Sequence, residues 1–202
     1  MTTQKTKKDL NRMTQFILCI DWETSGYSLP NYASKHQGIS FGAVIADART
    51  FEPVESLYRE IKFDKTKYIW DSGAQSVHGL SQEHLQIHGV DQETAAYELA
   101  DMVNRYMGND SVLVLGHRVH FDKSFTNQLL DSVGMEFTYH PTTIDSCSMS
   151  TVLLELTYSE DIFTTLGLPP RGQHNAMEDI LYTLESVKKM KEYFLIGVAN
   201  SL

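Results

Sequence analysis

Cysteine is almost missing from this chain, two residues in 202, and that scarcity excludes a disulfide-stapled scaffold. Cys19 lies inside an apolar, strand-like run and Cys147 far from it in sequence, so two free thiols are the ordinary reading, and a cytoplasmic protein fits them. Long hydrophobic runs are missing as well. No segment approaches the roughly 18 consecutive apolar residues of a membrane span, so no membrane partner is expected. The first ten residues hold Lys5, Lys7 and Lys8 and no apolar stretch before a small-residue cleavage site, so no secretory signal is expected in them. Residues 1–14 are expected to be a flexible tail, with one domain over residues 15–196. Positive charge is in short supply: 17 Lys and Arg face 26 Asp and Glu, a net charge of −9. A broad basic surface that coats nucleic acid is excluded; a site that grips a few nucleotides is not, because clustered carboxylates by themselves drive the balance negative. Internal repeats, low-complexity tracts and linkers are also missing.

What is present looks like a layered α/β protein. The apolar share is 42 % and the charged share 21 %, ordinary for a globular chain. Residues 16–20, Phe-Ile-Leu-Cys-Ile, form a short continuous apolar run, the pattern of a central strand covered on both faces. Further strands are expected at residues 39–46, 54–63, 112–115 and 141–145. Helices are expected at 72–78, at 92–107 from the spacing of Ala95, Leu99, Met102, Val103 and Tyr106, at 121–133 from Phe121, Phe125, Leu129 and Val133, at 146–156, and from Ala176 to about Tyr193. Three strands followed by helices and then alternating elements predict a mixed sheet between helical layers.

Four acids and a histidine stand out. Asp21 and Glu23 are two residues apart at the end of the first strand, so strand periodicity puts both side chains on one face. Two carboxylates held together repel when both are ionised, and a divalent cation between them removes the repulsion. Asp122 opens the helix after the strand at 112–115, where an acid also suits the helix dipole. His174 and Asp179 are five residues apart and would diverge by about 140° on one helix. They converge only if His174 precedes the helix. Asn175 as N-cap, Glu178 three residues on, and the Pro169-Pro170-Arg-Gly172 loop place it there. Singly, each of these residues has a bland explanation as a loop or helix-start group.

Their order and context together resemble a known family. Asp21-Trp-Glu-Thr-Ser-Gly26 resembles the first motif of the DEDD exonucleases, in the DnaQ-like branch of the ribonuclease H-like superfamily. Gly116-His-Arg-Val-His-Phe-Asp122 is similar to the second motif, and His174-Asn-Ala-Met-Glu-Asp179 to the third, with the spacing of the histidine subclass. Ile39-Ser-Phe-Gly-Ala-Val44 and Val77-His-Gly-Leu-Ser81 resemble further family segments. The sequence departs from the family pattern at Arg118, often Asn, at His120, often small, and at Ser40, often Glu; none of these is a metal-ligand position.

The resemblance implies a ribonuclease H-like α/β fold with a mixed five-stranded central sheet flanked by helices. It implies two divalent cations, Mg2+ or Mn2+, held by Asp21, Glu23, Asp122 and Asp179, with Asp21 bridging and Asp122 assisting through water. His174 would be the general base, since imidazole titrates near neutrality. The implied reaction is 3′-5′ exonuclease cleavage of a single-stranded 3′ end, DNA ahead of RNA, releasing nucleoside 5′-monophosphates. An exoribonuclease or oligoribonuclease-like enzyme and a catalytically silent binding subunit are the alternatives. The spacing from His174 to Asp179 argues against a ribonuclease H-like endonuclease. Thr24, Ser25 and Gly26 are expected to approach the terminal nucleotide through backbone groups, and His120 and Arg171 to reach phosphate or remain at the surface. Trp22, opposite in parity to the ligands, belongs to the core, and His78 is structural. His84, His88 and His140 show no ligand spacing, and Lys188, Lys189 and Lys191 read as a solvated helix end. No residue pattern names a polymerase or homo-oligomeric partner.

Overall fold

The computed structural model describes residues 14–108 and 110–199; most of the expected N-terminal tail, residues 1–13, lies outside the described residues. In chain order the elements are β1 (Phe16–Thr24), β2 (Gly38–Asp47), β3 (Pro53–Glu60), α1 (Ser72–His78), α2 (Gln82–His88), α3 (Gln92–Met107), β4 (Val114–Gly116), α4 (His120–Asp131), β5 (Ile144–Asp145), α5 (Ser146–Leu154), α6 (Ser159–Thr165) and α7 (Ala176–Ala199). The five strands form one sheet in the order β3-β2-β1-β4-β5. β1 pairs antiparallel with β2 and parallel with β4, so the sheet is mixed.

Parity along β1 divides the core in two. Leu18, Ile20 and Trp22 pack with Ala95, Leu99 and Met102 of α3 and Phe125 and Leu129 of α4. Ile17 and Cys19 pack on the other face with Ile162 and Phe163 of α6 and Ile180, Leu184, Val187 and Met190 of α7. A strand covered on both faces buries every side chain, which is why residues 16–20 read as an unbroken apolar run. Trp22 is core, as its parity predicts: its indole Nε1 donates to Thr126 Oγ1 at 3.0 Å and its ring lies 5.0 Å from Phe41.

Several boundaries differ from the sequence expectation, each for a local reason. β1 outlasts its apolar run at residues 16–20 and continues through Thr24, because Asp21, Trp22 and Glu23 keep their pairing with Gly42, Phe41 and Ser40 of β2. β3 ends at Glu60, and Ile61 instead makes an isolated bridge to Val90. β5 is two residues long. α2 and α6 escape a periodicity reading because α2 buries only Leu85 and α6 buries two adjacent residues, Ile162 and Phe163. α7 continues past Tyr193 to Ala199. Lys188, Lys189 and Lys191 are therefore mid-helix, and Lys188 pairs with Glu52 while Lys191 Nζ donates to the Arg49 carbonyl. No helix among the described residues is long and apolar enough to cross a membrane.

Candidate active site

The odd-numbered side of β1 that packs Ile17 and Cys19 under α7 continues to Asp21 and Glu23. Those two carboxylates thus emerge where the apolar face ends, at the N-terminal end of α7. Gly42, the partner of Asp21 on β2, allows α7 to start there: a Cβ at this position would lie 2.4 Å from the Ala176 carbonyl oxygen. Asn175 caps the helix, its Oδ1 accepting from Met177 N at 3.1 Å and Glu178 N at 3.3 Å. Asp179 falls in the first turn, its backbone N–H bonded to Asn175 O at 2.8 Å. Asp122 arrives from the first turn of α4, and the loop before it is pinned by Asp145, whose Oδ2 accepts from Val119 N at 2.8 Å.

Asp21, Glu23, Asp122, His174 and Asp179 all line one cleft of about 440 Å³. Within it, one ligand atom each from Glu23, His174 and Asp179 lies within 4.8 Å of the others. His174 stands on the loop before α7, its Nδ1 3.1 Å from Asp179 Oδ2. A carboxylate partner puts the imidazole proton on Nδ1 and leaves Nε2 as an acceptor. The side of the cleft away from α7 is aromatic: Tyr27, Tyr32 and Phe121 stand together with ring centroids 5.4 to 6.3 Å apart. Tyr27 is 61 % and Leu29 71 % exposed, so both are open to a bound molecule.

Crowding of acids dominates the electrostatics. Burial first, then the charges of Asp122, Glu23 and Asp179, hold the Asp21 carboxyl well above the usual carboxylate range. Burial and the neighbouring Asp179 push Glu23 up to about 7. Asp122 is also raised well above normal, chiefly by burial, and Asp179 is raised by burial against the opposing pull of Arg171 and His174. Asp122 Oδ2 is buried with no hydrogen-bond partner. Anionic oxygens that are crowded, desolvated and in one case orphaned fit hard divalent cations, whose charge would reverse each of these penalties.

Thr24, Ser25, Gly26, His78 and His120 are not among the residues that line the cleft. Ser25 is fully buried and its hydroxyl is spent inside the protein, donating to Ile69 O at 2.8 Å and accepting from Gln37 N at 2.9 Å. Gly26, at φ +132°, makes room for His36, which a Cβ would approach to 2.5 Å. Thr24 is buried beside them. His120 is exposed at the start of α4 and is not among the residues lining the cleft; Arg118 is. His78 is buried and accepts from Leu80 N at 3.0 Å, a structural role. Arg171 is no surface residue: its side chain is 2 % exposed and ion-paired to Asp179 and Glu160. Sequence reasoning missed the pin at Asp145, although an acid ahead of the Ser146 helix start is an N-cap signal, and the aromatic wall, whose members come from separate stretches.

Residues 18–187 match the family model of the RNase T exonucleases. The 3′-5′ DNA exonuclease Cap18 of Escherichia coli is 28 % identical over 176 residues, covering 85 % of this chain and 89 % of that protein. Among solved structures, exonuclease I aligns with a TM-score of 0.73 at 17 % identity, over 89 % of this chain. The zinc-ion-bound form of the E. coli exonuclease I complex with single-stranded DNA aligns at 0.72 and 17 % identity over 90 % of this chain. E. coli exonuclease I with a dA16 oligonucleotide gives 0.72 and 17 % over 89 %. This chain spans only 41 % of each of those exonuclease I chains, and at such identity the likeness is one of fold.

Proposed function

Because this chain belongs to the RNase T exonuclease family, we propose that it is a divalent-cation-dependent 3′-5′ exonuclease that releases nucleoside 5′-monophosphates from single-stranded DNA ends. The observation that carries this reading is the convergence of Asp21, Glu23, Asp122 and Asp179, from three distant stretches of the chain, in one cleft beside the His174 imidazole. DNA is favoured over RNA by the relative Cap18, a DNA exonuclease by name, and by the single-stranded DNA held by exonuclease I.

Asp21, Glu23, Asp122 and Asp179 would hold two divalent cations, Mg2+ or Mn2+. When bound, the cations supply charge stabilisation to the attacking and leaving oxygens. The protein's own groups do the rest. β1 fixes Asp21 and Glu23 side by side, and the capped start of α7 sets Asp179 opposite. Asp179 orients His174 through Nδ1, so Nε2 is free to take a proton from water. As that water oxygen bonds to phosphorus, the bond from phosphorus to the 3′ oxygen of the preceding nucleotide breaks, and the departing 3′ oxygen takes up a proton from solvent to become the 3′-hydroxyl of the shortened strand. The Tyr27, Tyr32 and Phe121 wall offers ring faces and edges for the terminal bases, a sequence-tolerant contact.

A digestion panel tests this. Single-stranded DNA, duplex DNA and RNA labelled at the 5′ end are incubated with Mg2+, Mn2+ or EDTA. The expected result is a ladder shrinking from the 3′ end of single-stranded DNA, abolished by EDTA. Faster digestion of RNA would move the substrate to RNA, and cleavage persisting in EDTA would refute the metal-dependent reading altogether.

A further inference from the structure

Arg171, on the loop between α6 and α7, puts a permanent positive charge into a cleft that the proposed function reserves for divalent cations. Its guanidinium Nη1 donates to Asp179 Oδ1. Its Nε and Nη2 are both 2.6 Å from Glu160 Oε1, and Nη2 also faces Ser159 Oγ at 3.3 Å. The guanidinium carbon lies over the Phe163 ring, 4.9 Å from its centroid. The other oxygen of Asp179 faces His174 Nδ1 at 3.1 Å. Both oxygens of Asp179 are therefore engaged within the protein.

We propose that Arg171 is a tethered internal counter-ion that occupies the Asp179 carboxylate in the metal-free protein and is displaced from it when a divalent cation binds. This rests on the reading of the cleft as a metal site. An ammonium or imidazolium could yield by losing its proton, but a guanidinium cannot, so Arg171 must move. Its anchoring makes the move small. Glu160, on α6 and 57 % exposed, grips two of the three guanidinium nitrogens, so Nη1 can leave Asp179 while the charge keeps a carboxylate partner. The next residue, Gly172, has open space around it, which leaves the backbone room to follow. The consequence is that cation affinity is set by competition, reduced by the fraction of molecules in which Arg171 holds Asp179. The same ion pair shields crowded acids when no metal is present, so Arg171 trades cation affinity for metal-free stability.

The test reads metal binding without catalysis. Mn2+ is titrated into wild type, Arg171→Gln and Arg171→Met, the methionine retaining the stem that packs on Phe163, with free Mn2+ followed by electron paramagnetic resonance and no nucleic acid present. Both variants are expected to bind Mn2+ more tightly, by about tenfold if Arg171 holds Asp179 some nine-tenths of the time. They are also expected to melt at a lower temperature in EDTA and to gain more from Mn2+ than wild type does. Equal or weaker Mn2+ binding in both variants overturns the proposal. Crystal structures of wild type grown with Mn2+ and with EDTA keep the question open to decision if the variants fail to fold. Nη1 still on Asp179 beside a bound cation refutes displacement, and Nη1 withdrawn to Glu160 and Ser159 supports it. Failure of wild type itself to bind Mn2+ overturns the reading of the cleft, and this inference with it; normal wild-type binding with unchanged variants overturns the inference alone.

Discussion

Asp21 and Glu23 sit in a strand at the centre of the sheet, paired residue for residue with Gly42 and Ser40 of β2, whereas His174 stands on the loop before α7 with 41 % of its side chain exposed. One side of the cleft is as rigid as the sheet. The other can adjust, because few contacts hold a loop side chain. The difference suits a division of labour: cation ligands gain from preorganisation, while a group that accepts a proton gains from reaching towards its partner when substrate arrives.

The strongest way to break the comparison is Asp21→Asn. If the strand side is a metal platform, activity should fall by on the order of 10³-fold or more, while the melting temperature in EDTA stays level or rises, since one of several mutually repelling carboxylates is gone. A loss of activity accompanied by a large loss of stability would make Asp21 a structural residue instead.

The next largest effect is a dependence of stability on pH. Glu23 is raised from its ordinary 4.5 to about 7 in the folded protein. A carboxyl with a raised folded-state pKa favours the folded state fully below the ordinary value, and that contribution is lost as pH climbs through the folded value. In EDTA, wild type should therefore lose up to roughly 3 kcal/mol between pH 4.5 and pH 7 from this group. Glu23→Gln should lessen the wild-type slope by that contribution, measured by urea denaturation at a series of pH values, with the remainder carried by the other raised carboxyls, and Mg2+ should offset it in wild type by holding the carboxylates ionised. An identical slope in wild type and Glu23→Gln would locate the pH dependence elsewhere.

His174→Ala should then separate base from ligand. As a base, its loss lowers kcat by about 10²-fold and leaves Mn2+ affinity nearly unchanged. Because its ring nitrogen falls in a three-ligand group with Glu23 and Asp179, a fall in Mn2+ affinity that matches the fall in kcat would assign it to the metal instead. The smallest effect is expected at the aromatic wall. Tyr27→Ala should weaken oligonucleotide binding by a stacking contribution of about 1 kcal/mol and raise KM with little change in kcat; a pure kcat effect would show that Tyr27 does not act through ground-state binding.

Much of the site was legible in the sequence because it is local. The two-residue interval between Asp21 and Glu23 decides that they share a face whatever the sheet looks like, and Asn175 decides where α7 begins, which puts His174 outside the helix and Asp179 in its first turn. Helix α3 follows its apolar spacing closely, in the buried stripe from Ala95 to Met107, and α1 keeps the expected bounds, its start fixed by Asp71, which accepts from Gly73 N. Two short helices, α2 and α6, were not legible, because each buries too few residues to set up a period. β5 falls inside the strand expected at 141–145, but only its last two residues pair, with Leu115 and Gly116.

The sequence by itself determined which groups could do chemistry, the order of the motifs that carry them, and the parity that sends Asp21 and Glu23 one way and Trp22 the other, because all of these are properties of neighbours along the chain. The tertiary structure decided what those groups face. Arg171 became a buried partner of Asp179 only because α6 brings Glu160, Ser159 and Phe163 around it. The start of α7 reached the carboxylates only because Gly42 has no side chain to hold it off. The Ser25 hydroxyl found Gln37 and Ile69, and Gly26 made room for His36, partners remote from them in sequence. Burial and charge crowding depend on distances in space between residues remote in sequence, and only folding sets those distances.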